Sequence, residues 1–129
     1  MSETETPKAV EASILLPDKI ELNKPNLLKV QVAQDGKNVD DAEDVEFEIW
    51  QSGSKQKSEL IKAAHVKDGV YQVKKTFTKN GIYFIQTHVT ARSMHVMPKK
   101  QLVIGKLSKK DLQPLMNSDS QNHKEMHHH

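Results

Sequence analysis

Val45-Glu46-Phe47-Glu48-Ile49 alternates apolar and acidic residues one for one. Successive side chains of an extended strand point to opposite faces, so Val45, Phe47 and Ile49 share one face and the glutamates the other. The apolar face is expected to meet a core. Outward from this stretch, β-rich runs recur at Val10 to Leu16, Leu27 to Ala33, Val45 to Gln51, Leu60 to Val66, Val70 to Phe77, Ile82 to Thr90 and His95 to Ile104. Asp35-Gly36, Asp68-Gly69 and Asn80-Gly81 stand between runs and tolerate positive φ, which favours hairpins over helical crossovers; Pro17 and Pro25 bound the first connection. The pattern predicts an all-β, antiparallel β-sandwich of about seven strands. Ser58 to His65 would also suit a helical turn, through Leu60, Ala63 and Ala64, and is read here as strand.

The chain has 129 residues, room for one domain with a real core. Large apolar residues concentrate in residues 9–105. Residues 1–8 read as a flexible N-terminal segment and 106–129 as a polar, disordered, histidine-containing tail. Cysteine is absent, which excludes disulfides, thiolate catalysis, cysteine zinc sites and iron–sulfur clusters from these residues. The net charge is +2, with both signs interleaved, which argues against a dedicated nucleic-acid surface. No apolar run approaches the roughly 20 residues a membrane helix needs, so the chain as written reads as soluble.

Asn80-Gly81-Ile82-Tyr83 has the form of an entry to a late sandwich strand, where a tyrosine after a tight turn ties its hydroxyl back to the preceding connection. With Tyr83 inward, Ile85, Thr87 and Val89 follow it, and His88 lies on the opposite face beside Phe84 and Gln86.

The chemistry concentrates just beyond, at His88 and the run Met94-His95-Val96-Met97-Pro98, in a chain with five methionines. Soft thioether sulfur suits Cu(I), and imidazole binds copper in both oxidation states. A hairpin through Arg92-Ser93 would pair Ala91 with Met94, Thr90 with His95 and His88 with Met97, so that His88, His95 and Met97 share a face. A loop one residue longer would instead give Met94 the face of His88. His65, Met94 or the tail are further donors for such a site. Pro98 points to an edge or bulge there, which would leave a coordination position open. The same run also reads as ordinary packing, since methionine fills irregular gaps and exposed histidine is common.

The tail histidines His123, His127, His128 and His129 and Met126 form a tract that binds Cu(II), Ni(II) or Zn(II) even when disordered, although the last three also resemble the remnant of a purification tag. Trp50 falls beside the core alternation and is read as packing beneath a loop or touching a partner. Asp40-Asp41-Ala42-Glu43-Asp44 lacks calcium-loop spacing and reads as a solvated turn. Lys99-Lys100 and the lysines from Lys106 to Lys110 read as ordinary surface. No phosphate-binding glycine loop, nucleophile elbow or His-Glu-x-x-His pair occurs, and Ser93 has no acid or oxyanion motif beside it. The chain is therefore expected not to be an enzyme.

The succession Gln34-Asp35-Gly36-Lys37-Asn38-Val39, Ala42-Glu43-Asp44-Val45-Glu46-Phe47-Glu48-Ile49-Trp50, Asp68-Gly69-Val70-Tyr71, Asn80-Gly81-Ile82-Tyr83 and His88-Val89-Thr90-Ala91-Arg92, ending in Met94-His95-Val96-Met97-Pro98, resembles the YtkA-like domain. It is similar to the Bacillus-type YtkA lipoproteins and more distantly to the FixH group. The resemblance implies an immunoglobulin-like β-sandwich outside a Gram-positive cell membrane, held by a lipid anchor on a cysteine upstream of this sequence. It also implies a part in cytochrome c oxidase assembly, with copper passed to an oxidase subunit or another assembly factor. His88, Met94, His95 and Met97 are the metal-ligand positions the resemblance nominates. The other expectation is a non-catalytic sandwich scaffold for a membrane oxidase or another envelope partner, without metal.

Overall fold

The computed structural model describes residues 8–105. The proposed tail and most of the N-terminal segment lie outside the described residues. Among the described residues ten strands run in order: β1 (Val10–Leu15), β2 (Pro25–Gln34), β3 (Lys37–Asn38), β4 (Asp44–Gln51), β5 (Glu59–Lys62), β6 (Ala64–His65), β7 (Val70–Thr76), β8 (Gly81–Ala91), β9 (Met94–Val96) and β10 (Lys99–Ile104). They form two antiparallel sheets. The first has the order β1-β2-β7-β6 with β3 beside β2, and the second β10-β8-β4-β5 with β9 beside β8. The result is the all-β antiparallel sandwich that the alternation predicts.

Its core is built from the inward half of each alternating strand. Leu28, Val30 and Val32 of β2, Phe47 of β4, and Ile85 and Val89 of β8 are fully enclosed, with Tyr71, Val73, Phe77 and Ile104 around them. Val45, Phe47 and Ile49 face inward as expected, and Glu46 and Glu48 are on the outer face of the second sheet.

Asp35-Gly36 and Asp68-Gly69 are hairpin turns, all four residues having positive φ. Gly69 is obligatory: a Cβ there would come 2.6 Å from the Val32 carbonyl oxygen. Asn80-Gly81 differs from the expected hairpin. It joins β7 of the first sheet to β8 of the second, and Tyr83 braces the crossing: its hydroxyl donates to the Lys79 carbonyl at 2.9 Å, the predicted tyrosine tie, while its ring packs edge-on against Phe77. The run from Leu60 to Val66 is extended but divided. Its first half pairs with β4, the Ala63 amide still donates to the Val45 carbonyl at 2.9 Å, and from Ala64 the chain pairs with β7 in the other sheet. No helical turn forms at Leu60 to Ala64. A short 3₁₀ turn, Lys55–Lys57, lies just upstream.

Candidate functional site

The geometry of the site begins with a two-residue turn. Arg92 and Ser93 both adopt left-handed backbone (φ 51° and 65°), and the turn closes β8 on β9 with Val89 opposite Val96, Thr90 opposite His95 and Ala91 opposite Met94. Residues that are neither glycine nor asparagine seldom occupy this conformation in pairs, so the hairpin is held against a local preference. The Arg92 guanidinium reaches back 2.6 Å to Asp41.

The register then continues across the proline. The Thr87 amide donates to the Pro98 carbonyl at 3.0 Å, and Lys99 pairs with Gln86, so β9 and β10 are two parts of one edge partner to β8. The same offset sets Met97 opposite His88. Pro98 has no N–H with which to return a bond to the Thr87 carbonyl, so the ladder is interrupted at Met97 and Pro98, between β9 and β10.

Of the sequence-nominated residues, His88, His95 and Met97 therefore lie on the outer face of the second sheet. The rings of His88 and His95 meet edge-on with centroids 6.2 Å apart. A metal–nitrogen bond of about 2.0 Å puts each imidazole centroid about 3.2 Å from the ion, so two rings on one ion are at most about 6.4 Å apart. The observed spacing is just inside that limit, which is reached only when the two nitrogens lie nearly in line through the ion. Met97 is 51% exposed and accessible as a soft donor. Met94 is placed elsewhere: opposite the buried Ala91, it is half-buried and packs against the core. His65 is also apart, in β6 of the first sheet, where its Nε2 meets Asp40 at 2.8 Å and its ring lies against Tyr71. Histidines of the tail fall outside the described residues.

One participant escaped sequence reading. Glu48, outward on the central strand β4, brings Oε1 to 2.9 Å from Nε2 of His88 and accepts a hydrogen bond from the Ser58 hydroxyl at 2.7 Å on Oε2. These contacts, Ser58 first and His88 second, hold the Glu48 carboxyl below the usual carboxylate range. Its alternation was legible, but its proximity to His88 depends on the pairing of β4 with β8, forty residues on. Among the described residues no three histidine, aspartate or glutamate side chains form a metal cluster, so a site here rests on the thioether.

Around this group the outer face is built mainly of packing. Trp50 is buried and stacks on Phe84 with centroids 5.7 Å apart, beneath Lys55 of the 3₁₀ turn, while Lys99 covers Phe84. The acidic stretch is also accounted for. Asp40 accepts from the Gly69 amide and contacts His65, the latter the larger cause of its lowered pKa, and Asp44 pairs with Lys62 at 3.5 Å.

Fold and site together define an antiparallel sandwich domain that carries histidine and methionine on the outer face of an edge hairpin. The YtkA-like family profile matches residues 4–88, well over half of the chain, and the chain belongs to that family. The match ends at His88, with Met94 to Met97 beyond it. No curated protein matches the chain. Among solved structures, an engineered protein is similar at a TM-score of 0.56 and 13% identity over 74% of this chain; this chain spans 20% of that protein's length. That likeness shows a common fold. A superoxide reductase (neelaredoxin) from Ignicoccus hospitalis aligns at TM-score 0.47 and 13% identity, covering 73% of this chain and 80% of its own. A variant of the same reductase gives 0.49 and 12%, covering 81% and 87%.

Proposed function

We propose that this domain is a non-catalytic copper-handling accessory protein, in which His88, His95 and Met97 hold copper on the outer face of the edge hairpin and give it up to a partner. The observation that supports this reading is the constant register offset from Ala91–Met94 to Gln86–Lys99, on either side of the break at Met97 and Pro98, which gives two imidazoles and a thioether one face of the sheet edge. That donor set is soft and neutral, suited to Cu(I), and an edge position leaves room for a partner's ligand to enter. Membership in the YtkA-like family directs the proposal to the outer side of the cell membrane, with a lipid anchor and an oxidase subunit or another assembly factor as recipient. Met94 is not part of the proposed ligand set.

The alternative is an interaction scaffold without metal, favoured by exposed Leu60, Met97 and Val103 on the same outer face. A Cu(I) and Cu(II) competition titration separates the two. It uses the full chain with His123, His127, His128 and His129 replaced by alanine, and the same protein carrying His88→Ala, His95→Ala and Met97→Ala. Copper bound by the parent and lost in the variant supports the copper site. A folded parent that binds none leaves the scaffold.

A further inference from the structure

We infer that Glu48 is a positioning residue for His88, fixing which imidazole nitrogen is offered to the metal; the inference rests on the copper reading above. His88 Nε2 lies 2.9 Å from a carboxylate oxygen that can only accept, so this nitrogen carries the proton of the neutral ring. The lone pair is then on Nδ1. A metal-binding histidine commonly holds its second nitrogen against a carboxylate in this way, which fixes the ring and raises the basicity of the ligating nitrogen.

Three features make this arrangement more than a chance surface pair. Both Glu48 oxygens are engaged, one by His88 and the other by Ser58 at 2.7 Å, so the carboxylate plane is held from two sides. The side chains of Glu48 and His88 are only 18% and 24% exposed, which limits competition from water. They also belong to adjacent strands with a fixed register, β4 and β8, with Glu46 directly opposite His88 and Glu48 opposite Gln86. Glu48 thus approaches His88 diagonally from the central strand, while Met97 is set opposite it on the edge side. The central strand holds the ring, and the metal would be met on the other side.

The role assigned to Glu48 differs from a ligand's. Glutamine at 48 is nearly the same shape but can donate as well as accept, so it no longer dictates the tautomer. The test uses the full chain with the tail histidines replaced by alanine, first metal-free and then with Cu(I). In the metal-free protein at neutral pH, long-range ¹H–¹⁵N NMR is expected to show His88 as the Nε2–H tautomer. Glu48→Gln is expected to mix the two tautomers while the amide spectrum stays folded, and to weaken Cu(I) binding by about 10–100-fold. Ser58→Ala should produce the same change in smaller degree. A native His88 with its proton on Nδ1 overturns the inference whatever the metal does. Equal Cu(I) affinity in the native protein and Glu48→Gln overturns the role of Glu48 and leaves the copper reading standing. If the native chain shows the Nε2–H tautomer but binds no copper, the copper reading fails and the positioning role fails with it.

Discussion

His88 and His95 meet edge to face across the β8–β9 hairpin, centroids 6.2 Å apart, although they are not directly opposed. The pairing partners are Thr90 for His95 and, by the continued register, Met97 for His88. The contact between the imidazoles is thus diagonal, and it depends on the tight turn at Arg92-Ser93.

That turn places an ordinary L-residue, Ser93, at φ 65°. Left-handed backbone costs such a residue about 1–2 kcal/mol, offset in part by the greater chain entropy glycine loses on folding. Ser93→Gly is expected to raise stability by about 0.5–1 kcal/mol in urea unfolding, with an unchanged denaturant slope.

Thr87 is fully buried on the core face of β8, and its hydroxyl oxygen has no partner among the described residues. An unpaired buried hydroxyl is unfavourable, whereas a methyl of similar shape is welcome there. Thr87→Val should therefore stabilise the domain by about 1 kcal/mol, read as a higher unfolding midpoint.

Tyr71 joins the sheet to the acidic loop from inside. Its hydroxyl donates to the Val39 carbonyl at 2.9 Å and accepts from the Ala42 amide at 3.0 Å, and burial raises its pKa. Phenylalanine would leave both backbone groups without this partner. Tyr71→Phe is expected to cost about 1–3 kcal/mol and to speed hydrogen exchange at the Ala42 amide.

Glu48 predicts an acid limb to stability. Its folded pKa is lowered, by Ser58 first and then His88, so the folded state binds a proton there less readily than the unfolded chain. Its contribution is fully present above the unfolded value of about 4.3 and is lost as pH falls through the lower folded value. Urea unfolding followed from pH 6 downward should show a shallower acid loss in Glu48→Gln than in the native chain.

Strand alternation was the most legible part of this fold, because period-two burial writes itself into residues such as Val45, Phe47 and Ile49. The Tyr83 tie was readable too, since Asn80-Gly81 marks the turn it closes over. Other features depend on partners distant in sequence. Nothing in Ala63-Ala64 marks the change of sheet, which is set by which strand lies alongside, and Asn80-Gly81 does not state whether it links neighbours or crosses between layers. At the site, spacing alone allowed two registers and two methionines. The Arg92-Ser93 turn selects one, putting Met97 on the face of His88 and Met94 against the core. Glu48 could not be found from its neighbours in the sequence, because β4 and β8 meet only in the folded sheet.

The exchange of one methionine for the other as a copper donor is the sharpest consequence of that register. The most direct measurement is Cu(I) affinity by competition with a chromogenic chelator, comparing Met97→Ala with Met94→Ala in the full chain with the tail histidines replaced by alanine. The account predicts that Met97→Ala weakens binding at least tenfold, while folded Met94→Ala binds as the parent does. Copper binding that survives Met97→Ala and is lost in folded Met94→Ala would contradict it.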